Sequence, residues 1–242
     1  MEPGLAERIE QVRQAERRLL ADLAGLSDAD VARASLCAGW TIGHLVNHVA
    51  RGADAVRRAV DGARRGEIVP MYASPQAREA DIEAGARRPI AELAADVDAA
   101  VERLHQSWAA MDPDGWDRPV PHRLLGQIAV RDTVALRWIE VEIHHVDLAG
   151  RYRPADWPAP FVSLMLKQTM PTVAGRLPGK VPLALHATDT GERWSCGPAG
   201  PAPVTVSGPS WAIAAWVAGR LDPVADSLSA ADGELPALRP WI

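Results

Sequence analysis

The sequence predicts an α-helical four-helix bundle followed by a small α+β domain. Three observations carry this. Four long segments before residue 150 place apolar residues at spacings of three, four and seven. The connections between them are uneven in length. After Gly150 the texture changes: thirteen of the twenty prolines lie between 151 and 242, and short alternating runs replace the long stripes. The expected layout is a bundle over 1–150, a connecting helix and linker over 151–180, and the α+β domain over 181–242.

In the first helix, residues 5 to 26, Leu5, Ile9, Val12, Leu19, Leu23 and Leu26 share one face. Ser27-Asp28-Ala29-Asp30 resembles a capping box opening a short helical turn. Thr41 is placed to cap a second helix over 42 to 64, with Ile42, Leu45, Val49, Ala53, Val56 and Val60 as its core stripe. Residues 65 to 88 are polar and mixed, and some helix is expected around Gln76 to Ala84. Pro89 suits a helix's first turn. Ile90, Leu93, Val97, Val101, Leu104, Trp108 and Met111 then mark a third long helix, which Asp112-Pro113-Asp114-Gly115 ends. Residues 113 to 130 read as extended chain or loop. Beyond Gly150, Phe161 to Met170 reads as helix, Val181 to Ala187 and Val204 to Ser207 as strands, and Pro209 to Val217 as a short helix closed by Gly219. Ser227 to Ala230 and Glu234 to Leu238 are expected to pair around an Asp232-Gly233 turn.

Composition narrows the function. Apolar residues make up 48% of 242, enough for a substantial core, and the net charge is −5. No long basic run occurs, so neither nucleic acid nor an anionic membrane is an expected partner. No apolar run reaches the roughly 18 residues that a membrane-spanning helix requires. Cys37 and Cys196 are far apart, which argues against a disulfide framework or a thiolate zinc site. The first ten residues are charged and lack the apolar core of a signal peptide, so the expected location is the cytoplasm. Nothing indicates an oligomeric state.

The fourth helix carries the strongest chemical signal. From Arg137 to Leu148 it is apolar nearly all round, with Trp138, Ile139, Val141, Ile143, Val146 and Leu148, and such a helix is buried. Yet it also holds Glu140, Glu142, His144, His145 and Asp147. Burying these groups costs several kcal/mol unless each finds a partner. Glu140 and His144 lie four apart and share a face. A metal ion between them would compensate both. Catalytic zinc commonly keeps three protein ligands and an open position, and other divalent ions accept the same donors. From spacing alone the candidates are His44, His48, Glu140, His144 and His145. The competing explanation is a set of core histidines and glutamates satisfied by hydrogen bonds and ion pairs. His145 points about 100° away from His144 on the helix. Asp147 is placed to orient a ligand or cap the helix, Cys37 is explained by packing, and Trp40 is a candidate for the site mouth.

Gly39-Trp40-Thr41-Ile42-Gly43-His44, continuing through His48 to Asp54, resembles the second-helix signature of the mycothiol-dependent maleylpyruvate isomerase family. Glu140 to Leu148, followed by Arg151 to Trp157, resembles that family's second signature. Ala187 to Gly191, Gly219-Arg220 and the closing Leu238-Arg239-Pro240-Trp241 resemble, more loosely, its sterol-carrier-like C-terminal domain. The resemblance implies a DinB-like bundle with His48, Glu140 and His144 as ligands of Zn2+ or another divalent metal. It implies mycothiol as the low-molecular-weight thiol and Arg220 as the essential C-terminal arginine. His44 then becomes a structural histidine. Two positions depart from the pattern: Gly52 stands where asparagine is expected, and Ile139 where a polar residue is common.

The implied reaction is a cis–trans isomerisation of maleylpyruvate to fumarylpyruvate. A thiolate adds to the cis double bond, rotation follows about the resulting single bond, and elimination of the thiol leaves the trans isomer. Arg220 would hold a substrate carboxylate. The alternatives are a mycothiol S-transferase that keeps the adduct, and a non-catalytic, metal-stabilised ligand-binding protein.

Overall fold

The computed structural model describes residues 4–178, 182–197, 203–231, 233–239 and 241. The chain divides into two compact units, Met1–Arg151 and Tyr152–Ile242.

The first unit is built on four long helices: α1 (Leu5–Leu23), α2 (Ile42–Arg64), α4 (Ile90–Ala109) and α5 (Val130–Asp147). A shorter α3 (Pro75–Gly85) lies in the α2–α4 connection. The expected stripes are the buried ones: Val12, Leu19 and Leu23 on α1, Ile42, Leu45, Val49 and Val60 on α2, Leu93, Val97 and Leu104 on α4. Each such fully buried side chain contributes about 1.5–3 kcal/mol of transfer free energy. α2 packs mainly on α4, and α1 on α5. α5 is buried on nearly every side, with Val130, Val134 and Val141 fully enclosed. Between α4 and α5, strands β1 (Pro119–His122) and β2 (Gly126–Ala129) form an antiparallel hairpin within the stretch read as extended.

Local chemistry sets the α2 start. The Thr41 hydroxyl accepts from the His44 backbone N–H at 3.4 Å, and the Thr41 N–H donates to His44 Nδ1 at 3.3 Å. This is a capping box in which histidine replaces the usual glutamate. His44 Nε2 donates onward to Glu83 on α3 at 2.8 Å.

In the second unit, α6 (Ala159–Arg176) and α7 (Ser210–Val217) pack on each other. A four-stranded sheet runs in the order β4 (Arg193–Cys196), β3 (Leu183–Ala187), β5 (Val204–Gly208), β6 (Ser229–Ala230). β3 and β5 are parallel and the outer pairs antiparallel. The C-terminal hairpin expected over 227–238 does not form. A 3-10 helix occupies Asp222–Ser227, Ser229–Ala230 pairs with β5, and residues 233–239 take no regular structure. The β5 edge supplies more partners than an isolated two-stranded ribbon, which is marginal in water. Val181 and Asp232 from those expectations lie outside the described residues. No described helix is long and apolar enough to cross a membrane.

Candidate metal centre

The α2 stripe turns His48 toward α5, whose spacing turns Glu140 and His144 toward α2. His48 Nε2 lies 3.5 Å from Glu140 Oε1. The rings of His48 and His144 meet edge to face with centroids 5.0 Å apart. Three of the five spacing candidates therefore meet. The other two do not join them: His44 is committed to the α2 cap and Glu83, and His145 Nε2 pairs with Asp22 of α1 at 2.9 Å.

Glu140 and His144 are held from behind. Glu140 Oε2 accepts from Arg137 Nη1 at 2.9 Å. Arg137, whose side chain is fully buried, also donates to Glu16 Oε1 at 2.9 Å and to the Val49 carbonyl at 3.0 Å. Glu16 in turn meets His105 at 2.7 Å, so the carboxylate is anchored through α1 and α4. His144 Nδ1 donates to Asp147 Oδ2 at 2.9 Å, and the Cys37 thiol donates to the same oxygen at 3.2 Å. That occupies Nδ1 and leaves Nε2 as the donor atom for an ion. Trp40 packs edge-on to His48 at 5.0 Å.

Gly52 leaves room for the Glu140 carboxylate. A Cβ there would run into the Glu140 carboxylate, 2.9 Å from its carbon. The missing side chain is the space the carboxylate fills.

Burial holds His48 well below the ordinary histidine range, helped by the positive fields of His144, Arg78, Arg137 and Arg123. The imidazole is therefore neutral at pH 7, the form that ligates metals. Tyr72 is pushed up to about 12, first by burial and then by the Glu140 charge, which puts its phenol in the same field.

Two ligand sets share His144. One is His48, Glu140 and His144. The other is Cys37, His144 and Asp147, whose potential ligand atoms lie within 4.8 Å of one another among the described residues. The second set is already joined internally, with both other members donating to the buried Asp147 carboxylate. Arg220, in the second unit, follows Gly219, whose positive φ of 86° ends α7; its Nη1 donates to the Ala218 carbonyl at 3.2 Å.

Sequence reasoning did not reach Arg78 and Tyr72, and it read Arg137 only as part of the buried helix. Arg78 and Tyr72 come from the α2–α4 connection, where no periodicity points at the site.

The model for the mycothiol maleylpyruvate isomerase N-terminal domain matches residues 12–149, and that for the C-terminal domain of the same enzyme matches 152–240. Among solved structures, the crystal structure of the mycothiol-dependent maleylpyruvate isomerase superposes with a TM-score of 0.90 at 28% identity, covering 99% of this chain and 98% of that one. A histidine-to-alanine mutant of it gives the same values. No curated protein matches the sequence. With one domain model over each unit and a solved relative alike over nearly the whole length, the chain belongs to the mycothiol maleylpyruvate isomerase family.

Proposed function

We propose that this chain is a metal- and mycothiol-dependent isomerase converting maleylpyruvate to fumarylpyruvate, with His48, Glu140 and His144 as the metal ligands and Arg220 binding a substrate carboxylate. The observation that carries the reading is the convergence of those three α2 and α5 side chains, with Glu140 and His144 each fixed from behind by a buried group. The donor set fits zinc: two imidazoles and one carboxylate, which would leave a fourth position for an exogenous ligand. The space opposite Gly52 and the Asp147 bond to His144 Nδ1 favour this set over Cys37, His144 and Asp147. Asp147 and Cys37 are then supports, in the way a carboxylate orients a ligating histidine.

A bound zinc ion would lower the pKa of a thiol ligand and make thiolate, the nucleophile needed for reversible addition, available at neutral pH. The protein's own residues do the rest. Arg137 fixes the Glu140 carboxylate, and Asp147 keeps the proton of His144 on Nδ1. Trp40 lies edge-on to His48, and Tyr72 flanks Arg78. Arg220, a planar donor after a helix end, pairs with a carboxylate of the diacid and stabilises negative charge as it moves along the substrate.

The test follows maleylpyruvate by absorbance with zinc-loaded protein, with and without catalytic mycothiol. Conversion to fumarylpyruvate that requires mycothiol and leaves it unconsumed is the expected result. Stoichiometric consumption of thiol would assign the S-transferase reading instead, and no reaction on protein holding one zinc would reject the isomerase.

A further inference from the structure

Arg78 and Arg123 both act on His48 and neither is used by the proposed chemistry, and Arg78 is the one whose side chain reaches the His48 ring. It projects from α3, and its side chain is 15% exposed. Its guanidinium carbon lies 5.8 Å from the Trp40 ring centroid and 5.9 Å from that of Tyr72. Two aromatic rings therefore flank the planar group, which also hydrogen-bonds the Tyr72 side chain and donates from Nη1 to Glu79. Its acidic neighbour is Glu79, 3.4 Å away and 73% exposed, a pairing of little strength in water. The other cations around α2 are matched differently: Arg51 and Arg88 both bind Asp96, at 2.6 and 2.7 Å, and Arg137 is enclosed between Glu16 and Glu140.

The contact with His48 is conditional. Arg78 Nη2 points at His48 Nδ1 from 3.5 Å. A donor there requires a lone pair on Nδ1 and so puts the ring proton on Nε2. Ligation through Nε2, the atom facing Glu140, requires the reverse: a lone pair on Nε2 and the proton on Nδ1. Arg78 and a metal thus make opposite demands on one imidazole. With an ion held on Nε2 the ring proton would sit on Nδ1, and Arg78 Nη2 would lose its acceptor there. A divalent ion with two histidines and one carboxylate already has a net charge near +1, and the guanidinium adds another. That field suits an anion. Maleylpyruvate carries a carboxylate at each end, and the proposed function assigns Arg220 to one of them.

We propose that Arg78 binds the second carboxylate of a dicarboxylate substrate at the bundle's metal site, and that metal loading frees it from His48 to do so. This rests on the metal assignment of the preceding section.

The test separates the two. Wild type, Arg78→Met and Arg78→Lys are prepared with zinc, and bound zinc is measured per chain. Maleate, an unreactive cis-dicarboxylate, is then titrated calorimetrically into each loaded protein, alongside acrylate as a monocarboxylate. Arg78→Met is expected to keep one zinc and to weaken maleate by about tenfold to hundredfold, the usual effect of losing a charged hydrogen-bonding partner. Acrylate should lose far less. Arg78→Lys, which keeps the charge without the planar fork, should fall between. With maleylpyruvate the same variants should raise KM more than they lower kcat. Unchanged maleate affinity in both variants overturns the proposal, and so does loss of zinc from Arg78→Met, which would make Arg78 a support of the ion site. If wild type fails to isomerise maleylpyruvate, the proposed function fails, while the maleate titration still decides the role of Arg78.

Discussion

Gly52 sets two physical effects against each other. As a glycine inside α2 it weakens the helix, and alanine there would favour the helix by roughly 1 kcal/mol from propensity alone. The same methyl would take the place of the Glu140 carboxylate. That carboxylate ends a flexible side chain, so it would move at small cost to stability and large cost to the ion. Gly52→Ala is therefore expected to hold or raise Tm while weakening zinc by about tenfold to hundredfold, as loss of ligand support commonly does. Equilibrium dialysis beside thermal unfolding checks the split, and zinc affinity at the wild-type level would deny Gly52 this role. The two ligand sets at His144 are separated by a second pair of variants. Cys37→Ala should retain one zinc per chain, because its thiol is a donor to Asp147, whereas His48→Ala should lose it. The opposite outcome would move the ion to Cys37, His144 and Asp147.

At the scale of elements, α7 illustrates a helix start supplied from elsewhere in the chain. Pro209 at its N-cap makes no side-chain cap, and instead Asp189, in the turn between β3 and β4, accepts from the Ser210 N–H at 2.8 Å and hydroxyl at 2.7 Å. Burial acts to raise the Asp189 pKa, but these bonds outweigh it and hold the carboxyl below its ordinary 3.8. A lowered folded-state pKa gives stability that is present above the unfolded value and lost as pH falls through the folded one. Asp189→Ala should therefore speed amide exchange within Ser210–Val217 about fivefold at pH 7, equivalent to a cap of about 1 kcal/mol. The difference from wild type should shrink below pH 3.8. A pH-independent difference would remove the carboxylate charge from the explanation. The sequence made other elements plain and this cap invisible, and the reason is range. Thr41 and the α2 stripe sit next to each other, so the helix and its cap are local facts. β4 had no such signal: Arg193, Trp194, Ser195 and Cys196 form a strand because β3 offers a partner edge. The same limit governed the site. Glu140 and His144 are one turn apart and were readable as a pair. Arg78 and Cys37 reach it from segments 30 and 107 residues away from the histidines they approach.

Across the whole first unit, one buried chain of charges links the site to the bundle's interior: Glu140 to Arg137, Arg137 to Glu16, Glu16 to His105. It passes from α5 through α1 to α4, so the Glu140 carboxylate is fixed by packing that no single helix provides. Glu16 is the hinge of this arrangement. Burial alone would raise its pKa, but the Arg137 charge and the His105 hydrogen bond prevail, and the carboxyl titrates below its ordinary 4.5. Its stabilisation is thus complete above pH 4.5 and drains away as pH falls through the lower folded value. Glu16→Gln leaves a fully buried guanidinium with Glu140 as its remaining carboxylate, and breaking one side of a buried pair costs about 3–5 kcal/mol. At pH 7 that corresponds to a Tm loss of roughly 6–20 °C for a chain of this size. The variant's stability should also be flatter between pH 5 and 3 than wild type, because the group that protonates has gone. Thermal unfolding across that range measures both, and a Gln variant as stable as wild type would show that the charge chain positions Glu140 without holding the bundle together. The ion should follow the same logic. Arg137 is left with one anion to satisfy, Glu140 is drawn toward it, and zinc affinity in Glu16→Gln should fall although no residue near the ion has changed.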